Sequence, residues 1–402
     1  MVEDSVTPTH AEPAGPLVGV RIVDFCSFIA GSFGAMLLGD MGAEVIKIEA
    51  VGGDAARGWG PFLHGESRGF QGWNRNKRSL AINLKESAGR EIAHELVRRA
   101  DVVMENMRPG VTERLGIDYQ TLREINPELV YMSSTAFGSH GPYRSRPGYD
   151  PVLQSLGGAA ELNQRYTGVA SICSVAVSDF QAAMLGVSGI CAALYHRERT
   201  GEGQKIETSL LQAVMSIQSQ SFVDPLECEE EGAGGIFPYQ MFETSDHPIF
   251  VAAGTDKFWL LFCEVLGLDD LAADPGYRSN PQRAHKREEL GAIVKRVLLT
   301  RSCREWERML VEKGVPAAAV RSCLEFLDDP QVEALQMNPV IRHATIGALR
   351  VAGVPIHFSA TPGAIQCAAP QLGEHSGEIL REIGLSQERI DELVASGFVV
   401  ST

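Results

Sequence analysis

LVGVRIVDFCSFIAGSFGAMLLGDMGAEVIKIE, residues 17–49, decides the fold. Val20-Arg21-Ile22-Val23-Asp24-Phe25 reads as a buried strand. Ala30-Gly31-Ser32-Phe33-Gly34 is a glycine-containing turn that opens a short helix, Ala35 to Leu38, and Ala43 to Glu49 is a second strand. Strand, helix and strand with short links demand a right-handed crossover and a parallel sheet. The segment therefore predicts an α/β protein with a Rossmann-like, doubly wound large domain. The dinucleotide fingerprint GxGxxG is missing, so Glu49 at the end of the second strand is weak support for a ribose contact.

The alternation continues. Asn74-Arg75-Asn76-Lys77-Arg78-Ser79 leads into a strand, Leu80 to Leu84, and a helix, Ser87 to Arg99. Asp101 to Asn106 is a strand, Tyr119 to Ile125 a helix, and Leu129 to Ser133 a strand. Ligands in such sheets collect beyond the carboxyl ends of the strands, here near Ser27, Glu49, Asn106 and Ser133. The basic cluster at 74–79 is either a solvated turn or a phosphate contact. From about residue 236 the composition changes to short strands and helices, Trp259 to Val265 and Arg287 to Leu299. The expected organisation is a disordered tail (1–15), the first part of the large domain (16–222), an acidic and glycine-rich linker (223–235), a small α+β domain (236–328), and a linker with a return to the large domain (329–402).

Composition narrows the function. The 402 residues are 44% hydrophobic and 22% charged, ordinary for a globular protein. A net charge of -15 argues against nucleic acid or an anionic membrane as partner. No apolar run is expected to span a bilayer. The eight cysteines are scattered without a CxxC pair, which suits reduced thiols and a cytoplasmic setting. The histidines show no metal-ligand spacing, so no metal site is expected.

One carboxylate stands out. Asp179 lies where SVAVSD (174–179) meets an apolar helix, Phe180 to Arg199, closed by Thr200-Gly201. It reads either as an N-cap or as a poorly hydrated carboxylate able to act as a nucleophile. A second acid, Asp150, follows Arg146-Pro147-Gly148-Tyr149. The glycine run Gly232, Gly234 and Gly235 reads as a plain linker or as a mobile lid whose N–H groups cover a reacting carbonyl.

Motifs in order then match a family. The chain resembles the class III CoA-transferases, the formyl-CoA transferase and carnitine CoA-transferase (CaiB/BaiF-like) group, from about Leu17 to Leu385. The resemblance is carried by LGDMGAEVIKIE (38–49), NRNKRS (74–79), ADVVMENMRPG (100–110), RLG (114–116), GYD (148–150), TGEGQ (200–204), GVP (314–316) and LGEH (372–375). It implies an enzyme moving CoA from an acyl-CoA, such as succinyl-CoA, to a free carboxylic acid. CoA and acyl-CoA are then substrates, with no permanently bound cofactor. It implies an interlocked homodimer, with a heterodimer with a paralogue as the variant. By matching position Asp179 is the nucleophile that carries an aspartyl-CoA thioester, and Asp150 a second acid beside it. Ile82, Lys85, Asn106, Met107, Arg108, Arg114, Leu115 and Arg146 fall on or near positions that hold CoA. The family's active-site glutamine is Ile29 here and a CoA-contacting arginine is Ala50, departures that point to an acid larger or more apolar than oxalate. The alternatives are an α-methylacyl-CoA racemase of the same fold, although racemases use a histidine where this chain has Tyr149, a poor base at neutral pH, and a non-catalytic CoA-binding subunit of a heteromer, against which the presence of Asp179 argues.

Overall fold

A computed structural model describes residues 14–223, 226 and 235–401. The chain divides into two compact units: one takes in the described residues up to Phe222 and from Gln331 onward, the other runs from Val223 to Pro330.

The apolar runs become the strands of one sheet: β1 (Arg21–Asp24), β2 (Glu44–Glu49), β3 (Lys77–Ile82), β4 (Val102–Glu105), β5 (Val130–Thr135), β6 (Lys205–Ser209) and β7 (Val399–Val400). Their spatial order is β7-β3-β2-β1-β4-β5-β6, all parallel except β7, which runs antiparallel to β3. Side chains alternate between faces with a period of two. Val23, Ile46, Ile48, Val103 and Tyr131 point to one face, where helices α2 (Ser87–Val97), α3 (Tyr119–Ile125), α7 (Ser376–Glu382) and α8 (Gln387–Ala395) contribute Ile92, Leu96, Leu122, Ile379, Leu380, Ile390 and Leu393. Ile22, Val45, Val102, Met104, Val130 and Met132 point to the other, under α1 (Ser32–Asp40) and α5 (Val177–Thr200).

Some elements differ from the sequence reading. Helix α1 is longer than Ala35 to Leu38, because Gly34 works inside the helix rather than as a turn. A Cβ there would lie 3.2 Å from the Ala183 carbonyl oxygen, so the glycine lets α1 press against α5. Helix α5 starts at Val177, and Asp179 is therefore its third residue and not its N-cap; that place falls to Ala176, which has no capping side chain. By length and composition α5 is long and apolar enough to cross a bilayer, contrary to expectation. Its Val187, Ile190 and Ala193 are instead spent on the sheet. A helix at Ala159–Thr167, between α4 (Asp150–Leu156) and α5, was not expected, nor was one at Cys303–Glu312. Beyond Ser209 lie α6 (Leu210–Ser216) and a separate 3-10 turn, Ser219–Phe222.

The second unit has an antiparallel sheet of Tyr239–Phe242, Ile249–Ala252 and Ala317–Ala319. Trp259, Phe262, Leu290, Val294, Trp306 and Leu310 form its core. Buried Arg283 donates to the carbonyls of Phe237, Tyr277, Arg278 and Gly254 and pairs with Asp256. Residues 1–13 of the expected tail and most of the linker, Gly232 and Gly234 included, lie outside the described residues. Gly235 is described, with φ of +101°.

Candidate active site

A cavity of about 750 Å³ opens at the carboxyl ends of β1, β4 and β5, lined by residues of the first unit alone. That size falls in the range of small-molecule sites. Its walls are largely apolar, and Asp179 and Asp150 stand in it together.

Asp179 projects from the first turn of α5 and accepts no hydrogen bond from any described residue. Loss of water raises its pKa from the ordinary 3.8 to about 7, and the like charge of Asp150 adds to the rise. A carboxylate in this state is ionised in large part near neutrality yet poorly solvated, which is what a carboxylate nucleophile requires. Asp150 is different. It is buried at the start of α4, behind Pro151. One oxygen accepts from the backbone N–H (2.8 Å) and hydroxyl (2.6 Å) of Ser178, the other from the Gln154 amide (2.6 Å). Both oxygens are committed, so Asp150 is a fixed negative charge that ties α4 to the first turn of α5.

The opposite wall is braced as firmly. The Asn106 side chain accepts from the Ser27 N–H (2.9 Å) and donates to the Ser27 carbonyl (2.7 Å), mimicking a strand neighbour. Next to it Phe28 holds φ of +59°, unusual for a residue with a Cβ. Its N–H points to the buried Asp54 carboxylate (3.4 Å), which also caps Ala56 (2.9 Å) and pairs with Lys47 (3.0 Å). The Ser134 hydroxyl, at the end of β5 in the cavity lining, is buried with no hydrogen-bond partner among the described residues.

Of the residues singled out in the sequence, Asp179, Asp150, Ile29, Asn106, Met107, Arg108, Arg146 and Tyr149 line this cavity. Ala50, Ile82, Lys85, Arg114 and Leu115 do not. Ile82 is fully buried in the core with Leu115 packed against the same cluster, and Ala50, Lys85 and Arg114 are exposed. Sequence reasoning missed Phe28, Trp59, Trp73, Arg144 and Cys173, all in the lining, and the anchors Ser178 and Gln154. Gln154 was within reach, since it lies four residues after Asp150 on one helical face. Arg108, Arg144 and Arg146 form no ion pair with any described residue, and Arg146 instead lies over Phe137 and Tyr143. No cluster of metal-ligating side chains occurs among the described residues, and the seven described cysteines are unpaired.

The fold is mixed α/β with a mostly parallel central sheet, and its cavity at the strand ends holds a desolvated carboxylate. The chain belongs to CoA-transferase family III, whose pattern it matches over residues 17–376. It is 33% identical to succinyl-CoA:glutarate CoA-transferase of Mus musculus over 393 residues, 96% of this chain and 90% of that protein. It is 35% identical to succinyl-CoA:mesaconate CoA-transferase of Haloarcula marismortui over 388 residues, 92% of this chain and 97% of the relative. Among solved structures, a CaiB/BaiF family protein from Brucella suis superposes with a TM-score of 0.79 at 32% identity, covering 92% of this chain and 100% of its own.

Proposed function

We propose that this enzyme transfers CoA from an acyl-CoA to a free carboxylic acid, with Asp179 as the nucleophile. The observation that carries the reading is the Asp179 carboxylate: unbonded, poorly hydrated, and facing an apolar cavity. Asp179 attacks the thioester carbonyl and expels CoA thiolate, leaving a mixed anhydride. The thiolate attacks the aspartyl carbonyl, which releases the donor acid with one oxygen that had belonged to Asp179. An aspartyl-CoA thioester remains. The acceptor carboxylate attacks it, expelling thiolate again, and the thiolate attacks the acyl carbonyl of the new anhydride to give the product thioester and free Asp179. Thioester exchange is near energy balance, and apolar walls protect the anhydrides from water. Asp150 is the fixed charge that helps hold the Asp179 pKa near neutrality, and Arg108 and Arg146 are placed to meet CoA phosphates. The names of the relatives support succinyl-CoA as donor and a dicarboxylic acid as acceptor. An interlocked homodimer of this chain, or a heterodimer with a paralogue, belongs to the same reading, as do outer CoA contacts at Ala50, Lys85 and Arg114.

The test is covalent trapping. Treated with succinyl-CoA and then hydroxylamine, the protein is expected to carry a hydroxamate at Asp179, and Asp179→Ala to bind CoA without transfer. A hydroxamate mapped to another residue overturns the assignment.

A further inference from the structure

Three aromatic rings meet in the cavity lining. Phe28 and Trp59 lie 4.7 Å apart between centroids at 57°, and Phe28 and Tyr149 lie 6.2 Å apart at 79°. They come from three separate segments, and each is held. Phe28 takes its left-handed backbone between the Ser27–Asn106 pairing and the N–H contact to Asp54. The same Asp54 carboxylate caps the turn Ala55–Gly58 that leads into Trp59. Tyr149 directly precedes Asp150, whose carboxylate is fixed by Ser178 and Gln154. One buried, lysine-neutralised carboxylate thus places two rings and an anchored acid places the third. Yet Trp59 and Tyr149 remain 54% and 55% exposed, so much of this pre-formed apolar surface is uncovered.

Three polar side chains beside it are already spent. Asn106 uses both ends of its amide on Ser27, Asp150 uses both oxygens, and Thr135 accepts from the Gly138 N–H. The ring faces themselves offer a small, purely polar acid no partner, while Arg108, Arg144 and Arg146 of the lining are left to meet CoA or a carboxylate. Resting on the CoA-transfer reading, we propose that the acid substrate carries a bulky apolar body of about ring size, which packs on the Phe28–Trp59–Tyr149 wall while its carboxyl group meets Asp179. Phe28 is then a specificity-determining residue. An apolar body stacked edge-to-face on such rings gains more than its buried area alone supplies.

Glutarate and 3-phenylglutarate differ only by the ring and test this directly. With succinyl-CoA as donor, kcat/KM for 3-phenylglutarate is expected to exceed that for glutarate roughly tenfold. Phe28→Gly is expected to bring the ratio near one, since glycine adopts a φ of +59° without strain and loses only the ring. The thermal midpoint checks its fold, and Trp59→Ala, expected to lower the ratio in the same direction, serves if Phe28→Gly does not fold. Isothermal titration of the two acids reads the preference without turnover. A wild-type ratio at or below one, or a ratio unmoved by these variants, overturns the inference even where Asp179 becomes acylated. A retained binding preference with no Asp179 acylation would instead overturn the transfer reading and leave the apolar wall standing.

Discussion

Replacing Asp150 by asparagine changes the titration of Asp179, and the size of the change follows from the structure. Burial lifts the Asp179 pKa first and the Asp150 charge second, together from 3.8 to about 7. The charge is the smaller cause, so its removal lowers the Asp179 pKa by at most about 1.5 pH units, or about 2 kcal/mol at 1.36 kcal/mol per unit. The assay is hydroxamate formation from succinyl-CoA between pH 5 and 8.5, taken as kcat/KM so that the free enzyme is read. The wild-type rate is expected to rise with pH to a plateau above about 7, and the Asp150→Asn rate to rise at lower pH. The substitution also sets an amide N–H against the Gln154 amide, which costs about 1–3 kcal/mol of stability if unrelieved, so the position of the inflection is the diagnostic and not the plateau height. Stability carries an independent signature. The folded state keeps a proton on Asp179 that the unfolded chain has lost between pH 3.8 and about 7. Stability attributable to this group therefore falls as pH rises through that window. The full rise corresponds to about 4 kcal/mol, discounted to roughly 2 for a partly exposed group, and Asp179→Asn should be more stable than wild type at pH 8 by that amount. A wild-type inflection near pH 4, or one that Asp150→Asn leaves in place, would refute the reasoning.

Carboxylate exchange makes an isotopic prediction: with an 18O-labelled acceptor acid, a single turnover should leave one label in the Asp179 peptide, seen by mass spectrometry, and an unlabelled peptide would rule out the anhydride route. Asn106→Leu removes both bonds to Ser27 and should lower kcat/KM for the acid about thirtyfold, two hydrogen bonds being worth about 1 kcal/mol each, with no change in the pH inflection. Arg146→Ala should raise KM for acyl-CoA and flatten its dependence on salt, measured by initial rates from 20 to 300 mM salt. Lys77→Met takes from the buried Asp24 its partner at 2.9 Å and should cost about 3–5 kcal/mol by denaturant unfolding.

Elements whose residues announce their own environment were legible. The runs Val20 to Phe25, Ala43 to Glu49 and Asp101 to Asn106 are rich in Val and Ile and are linked by short connections, as strands in the middle of a parallel sheet are. Asp179 was singled out by the family motifs, since the residues around it read as well as an N-cap. The rest depended on distance in space. Nothing in the sequence says that Phe28, Trp59 and Tyr149 meet, because their contact arises from Asp54, 26 residues beyond Phe28, bonding to its N–H. Nothing says that Asn106, placed by resemblance among CoA contacts, has both amide atoms turned toward Ser27. Likewise, the basic cluster at 74–79 offered a solvated turn or a phosphate contact, and neither describes it. Arg75 is buried against Asp40 and the carbonyl of Gly353, and Lys77 against Asp24, the Ser32 carbonyl and Asn74. A run of charges looks solvated until partners such as Asp40 and Gly353 arrive, 35 and 278 residues from Arg75.

Those buried charges are an inefficient way to stabilise a fold. Lys47, Lys77, Asp24 and Asp54 are almost wholly removed from water, and well-packed apolar side chains of similar volume would often do as well or better. Burial opposes ionisation of Asp24, yet Lys77 and Lys47 hold its pKa below the ordinary value. What the charges supply is direction. Lys47 donates to the Cys26 carbonyl (2.7 Å), and Asp24 accepts the Cys26 N–H (2.9 Å), so the chain leaving β1 is gripped on both its donor and its acceptor. The next residues are Ser27, latched by Asn106, and Phe28, facing Asp54. An apolar core under this turn would leave its backbone groups unpaired and its strained φ unsupported. The ion pairs therefore belong to the site as much as to the fold: they fix the strand-end turn from which Phe28 enters the cavity.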